Sequence, residues 1–60
     1  MTAQQQLLAF LDAHSIPYER NPGGSGETIK VSDHQSGGSG YAHWRFRFDG
    51  TLEYVTHHAA

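Results

Sequence analysis

Between Tyr41 and Phe48 the rings of Trp44, Phe46 and Phe48 alternate with His43, Arg45 and Arg47, and an Asp49-Gly50 pair follows. A repeat of two is the side-chain period of a strand. Residues 41–56 therefore predict one β-hairpin with rings on one face and ionic groups on the other. A two-residue Asp49-Gly50 loop would set Phe48 opposite Thr51, Arg47 opposite Leu52 and Phe46 opposite Glu53, a polar-apolar mismatch at each pair. A three-residue Asp49-Gly50-Thr51 loop instead matches Phe48 with Leu52, Arg47 with Glu53, Phe46 with Tyr54 and His43 with His57. Each matched pair contributes roughly 0.2–1 kcal/mol, so the expectation is the longer loop, with a bulge.

Earlier in the chain Ala3, Leu7, Leu8 and Leu11 recur at helical spacing behind Thr2 and Gln5, which have the spacing of a capping box. This predicts a helix over 3–14, with Phe10 flanking the apolar stripe and Gln4, Gln5, Gln6 and Asp12 toward water. Pro17 disfavours helical geometry at Ile16, and His14 suits the C-terminal end of the helix dipole. Residues 16–20 predict an edge strand that tolerates Pro17, with Ile16 and Tyr18 inward. Residues 27–33 predict a second strand, with Ile29 and Val31 inward and Thr28, Lys30 and Ser32 outward.

Together these elements predict a two-layer α+β domain, αββββ, in which one N-terminal helix packs on a four-stranded antiparallel meander. Its expected core joins Leu7, Leu8, Phe10 and Leu11 to Ile16, Tyr18, Ile29, Val31, Trp44, Phe46, Phe48, Leu52 and Tyr54. The other sheet face is expected to carry Glu19, Thr28, Lys30, Arg45, Arg47, Glu53, Val55 and His57.

Sixty residues make a single small domain over 1–60, and a chain this short buries only about 60% of the surface it exposes when unfolded. Without cysteine there is neither disulfide nor thiolate metal site, so helix-on-sheet packing or a partner must supply the stability. Six of the seven glycines lie in two copies of Gly-Gly-Ser-Gly, at 23–26 and 37–40. One such tetrapeptide is expected by chance on the order of once in a thousand chains of this length. The repeat predicts flexible Gly/Ser loops over 21–27 and 34–40, and it has two readings: engineered spacers in place of longer native loops, or natural flexible loops.

The net charge of −2 argues against binding dominated by phosphate neutralisation. Protonating all five histidines would bring the chain to +3, a sign reversal on acidification through about pH 6.5. The dense apolar stretch 7–11 falls far short of the ~20 residues that cross a bilayer, and no basic leader precedes it. The expectation is a soluble cytoplasmic protein without membrane contact.

Candidate chemistry is sparse. Residues 23–28 have the glycines of a phosphate cradle, but Glu27 stands where a P-loop needs lysine, and a strand follows where it needs a helix. His43 and His57, facing each other in the predicted register, would make half a zinc site, with Asp33 and His34 in the loop entering that region. No cofactor is expected. Asp12, His14 and Ser15 are close in sequence, which does not make a triad. The helix–strand–strand opening loosely resembles the small HicA-type toxins, whose functional histidine follows a Gly-Ser in the first hairpin; here Gly26 follows Gly24-Ser25.

The leading expectation is a non-enzymatic binding module, an accessory or inhibitor type of protein-interaction domain or an engineered miniature of one. Lys30, Arg45, Arg47 and Glu53 would contact a partner protein, and the open sheet edges would accept a strand, including one from a second copy. The rival readings are a single-stranded nucleic-acid binder using the Arg45 and Arg47 face, and a histidine-dependent metal-binding protein or nuclease. Sheet platforms that bind nucleic acid keep rings and cations on one face, whereas the alternation here separates Trp44, Phe46 and Phe48 from the guanidiniums.

Overall fold

A computed structural model describes residues 1–32 and 40–58. Within them the chain forms α1 (Ala3–Ala13), β1 (Tyr18–Gly23), β2 (Gly26–Ser32), β3 (Tyr41–Arg47) and β4 (Leu52–His58). The strands make one antiparallel sheet in the order β1-β2-β3-β4, so the architecture is the predicted αββββ.

Both helix ends are locally encoded. Gln5 N donates to Thr2 Oγ1 at 3.1 Å and Thr2 N donates to Gln5 Oε1 at 2.9 Å, completing the capping box. A further first-turn donor, Gln4 N, reaches the Gly50 carbonyl at 3.0 Å and ties the helix start to the β3–β4 turn. At the other end Ser15 takes a left-handed φ of 54°. Ile16 N donates to Leu11 O at 2.9 Å and Ser15 N to Asp12 O at 3.2 Å, the two bonds of a Schellman motif. Ile16 thereby folds back on Leu11 and belongs to the connection rather than to a strand. The first strand starts at Tyr18 and runs on through Pro22, later than the predicted 16–20.

The expected loop over 21–27 contains only two residues outside the strands. Gly23 pairs with Gly26, and Gly24-Ser25 close a tight hairpin. A positive φ at Gly24 (63°) and not at Ser25 is the pattern of a type II′ turn, whose twist matches that of the flanking strands. Residues 33–39 lie outside the described residues, and with them most of the expected loop over 34–40.

In the β3–β4 hairpin Arg47 N donates to Thr51 O at 2.9 Å and Gly50 N donates to Arg47 O at 2.9 Å, with Gly50 at φ 87°. The loop does have three residues, but they are Phe48, Asp49 and Gly50, one position earlier than expected. A second irregularity follows at once. Phe46 pairs with Leu52 and Arg45 with Tyr54, which leaves Glu53 as an extra, bulged residue.

That bulge reverses the phase of β4. Val55 lies opposite Trp44 and His57 opposite Ala42, on the helix side of the sheet instead of the outer side. Tyr54 lies opposite Arg45 and Thr56 opposite His43, so Tyr54 is an outer-face residue. The predicted pairs Phe46 with Tyr54 and His43 with His57 are not formed.

The buried cluster is small: Leu11, Ile29 and Phe46, with Leu7, Leu8, Ile16, Tyr18, Val31 and Trp44 packed partly buried around it. Phe46 is 1% exposed and Ile29 fully buried. Besides Tyr54, two predicted core rings are outside. Phe48 sits in the turn at 78% exposure, because the three-residue loop begins with it. Phe10 is 55% exposed on the flank of the helix stripe, its ring 4.4 Å from that of His14.

Candidate binding surfaces

Arg45 stands at the centre of the outer face, and its neighbours engage each of its three nitrogens. Nη2 donates to the Gly23 carbonyl at 2.5 Å and Nη1 to Thr28 Oγ1 at 3.1 Å, while Nε lies 3.7 Å from Glu53 Oε2. Its side chain is only 15% exposed. The bulge brings Glu53 to Arg45 instead of Arg47, and this ion pair straps β3 to β4. Of the four residues expected to bind a partner, Arg45 and Glu53 are engaged within the sheet. Arg47 is exposed, and Lys30 holds its ammonium 4.7 Å from the centre of the Tyr41 ring, a cation–π contact.

Beside Lys30 three rings gather on the same face. Tyr41 stacks on His58 at 4.7 Å and 16°, His43 lies 5.2 Å from His58, and Tyr41 lies 5.1 Å from His43. The expected neighbour of His43 is His57; the shifted register brings His58 to it instead. Asp33 and His34, named with that pair, fall outside the described residues. Among the described residues no group of three or more His, Cys, Asp or Glu side chains is close enough to hold a metal.

On the helix side a polar cluster closes one end of the core. Arg20 donates to both carboxylate oxygens of Glu27, Nε to Oε2 at 2.9 Å and Nη2 to Oε1 at 2.8 Å. Gln4 of the helix donates to the same carboxylate through Nε2. These bonds, above all those from Arg20, hold the Glu27 carboxyl below its ordinary range. A carboxyl depressed in the folded state adds stability above its unfolded pKa of about 4.3, which is lost as pH falls through the folded value. Wild-type stability is therefore expected to drop on acidification from about pH 5, and Glu27→Gln to flatten that drop. Urea denaturation at stepped pH checks this; parallel curves for the two proteins would contradict it.

The Asp12, His14 and Ser15 set is dispersed into structural tasks. Asp12 Oδ1 accepts from Tyr18 Oη at 3.0 Å, which raises the tyrosine pKa; His14 packs on Phe10; and Ser15 forms the helix stop. The glycines of 23–26 close a hairpin, with a strand after them, so no phosphate cradle forms.

Among the described residues, every β4 side chain except the half-buried Val55 is exposed. No β4 side chain belongs to the buried cluster, and an open groove of about 750 Å³ runs between the helix end and the sheet, with Phe10, Ile16, Val31, Ala42, Trp44 and His57 among its lining residues. Leu52 is 41% and Tyr54 52% exposed. Among the described residues no helix is long and apolar enough to cross a membrane. Comparison of the chain with protein-family models, curated proteins and solved structures finds no match.

Proposed function

We propose that this protein is a non-enzymatic interaction module that works by strand addition at β4, with a second copy of the chain as its partner. The supporting observation is the contrast between the two sheet edges. The β1 edge carries Pro22, which offers no amide donor, and the charged Glu19 and Arg20, features that discourage edge pairing. The β4 edge has neither proline nor glycine across Leu52–His58. Its one irregularity, Glu53, lies next to the turn and leaves Tyr54–His58 in regular pairing.

Self-complementarity favours a second copy. Two β4 strands running antiparallel about a two-fold axis would extend the sheet across the pair and set Leu52 and Val55 of each copy beside the other's open groove. Burial across the join supplements a core in which, among the described residues, Leu11, Ile29, Ala42 and Phe46 are the buried apolar side chains. The outer face supports nucleic-acid binding less well, because Arg45 is largely covered and already engaged by Gly23, Thr28 and Glu53.

Light scattering over a dilution series tests the proposal. The wild type is expected to pass from dimer to monomer on dilution, while a Leu52→Lys/Tyr54→Lys variant with an unchanged circular dichroism spectrum stays monomeric. Like charges meeting across the new strand pair oppose association. A wild type monomeric at every concentration, or a variant that associates equally well, would reject it.

A further inference from the structure

The ring cluster on the outer face combines two imidazoles in a geometry with chemical use. We propose that His43 and His58 form a two-imidazole site for a borderline divalent transition-metal ion such as Zn2+, with water completing the coordination. The inference is independent of strand addition, since both histidines belong to one copy.

Spacing is the first argument. A tetrahedral ion bound at ~2.0–2.1 Å by one nitrogen of each ring holds the two ring centres about 5 Å apart. The centres of His43 and His58 lie 5.2 Å apart, with the rings inclined at 58°. The second argument is orientation. His58 Nε2 lies 3.2 Å from Thr56 Oγ1, and the His58 ring is stacked on Tyr41. In the tautomer whose Nε2–H donates to the threonine, the lone pair is on Nδ1, which is then the nitrogen available to ligate. Hydrogen bonding through the second ring nitrogen is the usual way a metal-binding histidine is fixed in tautomer and direction.

The surroundings also set limits. Lys30 brings a positive charge to the far side of the cluster through its contact with Tyr41, and two protein ligands are fewer than a structural zinc site uses. The site is therefore weak and exchangeable, and it selects imidazole-seeking ions over Mg2+ and Ca2+, which require oxygen ligands. The β4 bulge decides which imidazole takes part: in unbroken pairing from Phe46 and Leu52 onward, His57 instead of His58 would lie diagonal to His43.

The test is Zn2+ titration at a protein concentration where the chain is monomeric, read by calorimetry and by the histidine ring-proton signals, with Mg2+ as control. Saturable one-to-one binding is expected, with the His43 and His58 ring signals shifting together. His43→Gln and His58→Gln should each weaken binding by about ten-fold or more, and His57→Gln and His14→Gln by less than about two-fold. Absence of saturable Zn2+ binding would overturn the proposal. So would binding that survives both His43→Gln and His58→Gln, or binding lost in His57→Gln, which would assign the ion to the adjacent His57-His58 pair. Because the glutamine variants keep a polar side chain on an outer-face position, their spectra also show whether the fold persists.

Discussion

Replacing Phe46 by alanine is expected to remove a large share of the domain's stability. The ring is 1% exposed and sits with Leu11 and Ile29 at the centre of the buried cluster. Truncating a buried phenylalanine costs about 3–5 kcal/mol, the lost transfer energy plus the cavity left behind. A 60-residue domain has a total stability of only about 3–9 kcal/mol, so the deletion removes a large share of it. Phe48→Ala, two residues along in the same alternating run, is expected to change stability by less than about 0.5 kcal/mol, since that ring is 78% exposed. Urea denaturation of the two variants checks the contrast. Equal losses would show that Phe48 is as much a core residue as Phe46.

Gly26→Ala is expected to be nearly as damaging, for a backbone reason. A methyl group at Gly26 would overlap the Phe46 carbonyl oxygen and lie 2.9 Å from Arg47 Cα. These are main-chain atoms and cannot swing aside, so β2 and β3 would have to part at the Gly26 and Arg47 pair. A loss above about 3 kcal/mol is expected, in the upper range for overpacked sites. Gly23→Ala provides the comparison, because nothing lies within 4 Å of a methyl group built there; its cost should stay below about 1 kcal/mol. Thermal denaturation of both variants would decide it. Similar melting temperatures would mean that the first Gly-Gly-Ser-Gly tetrapeptide is the uniform spacer its composition suggests.

That tetrapeptide shows where the sequence was harder to read. Its repetition at 37–40 draws attention to composition, whereas in the first copy each glycine has its own position: Gly24 supplies the positive φ of the turn, and Gly26 allows the close approach of β3. The signals that were legible are those settled within a few residues. Thr2 and Gln5 cap the helix as their spacing requires, Pro17 follows its end, and Ile29, Val31, Trp44 and Phe46 take the faces that a period of two assigns.

The β4 faces depend on two successive departures from regularity, the three-residue turn at Phe48 to Gly50 and the bulge at Glu53. Considering cross-strand pairs for one departure alone gives Tyr54 the inner face and Val55 the outer. The ionic match of Arg47 with Glu53 favours that scheme, but the arginine that meets Glu53 is Arg45, with Thr28 and the Gly23 carbonyl also within reach. The shift also exchanged His57 for His58 beside His43, because a one-residue slip moves every side chain beyond it to the other face.

The claim on which this account turns is that β4 is a receptive edge. Amide hydrogen exchange of residues 54–58, measured at high and at low protein concentration, addresses it most directly. The account predicts that β4 amides not bonded to β3 are protected at high concentration and exchange freely on dilution, while the β1 edge exchanges alike at both. Identical exchange along β4 at the two concentrations would contradict it.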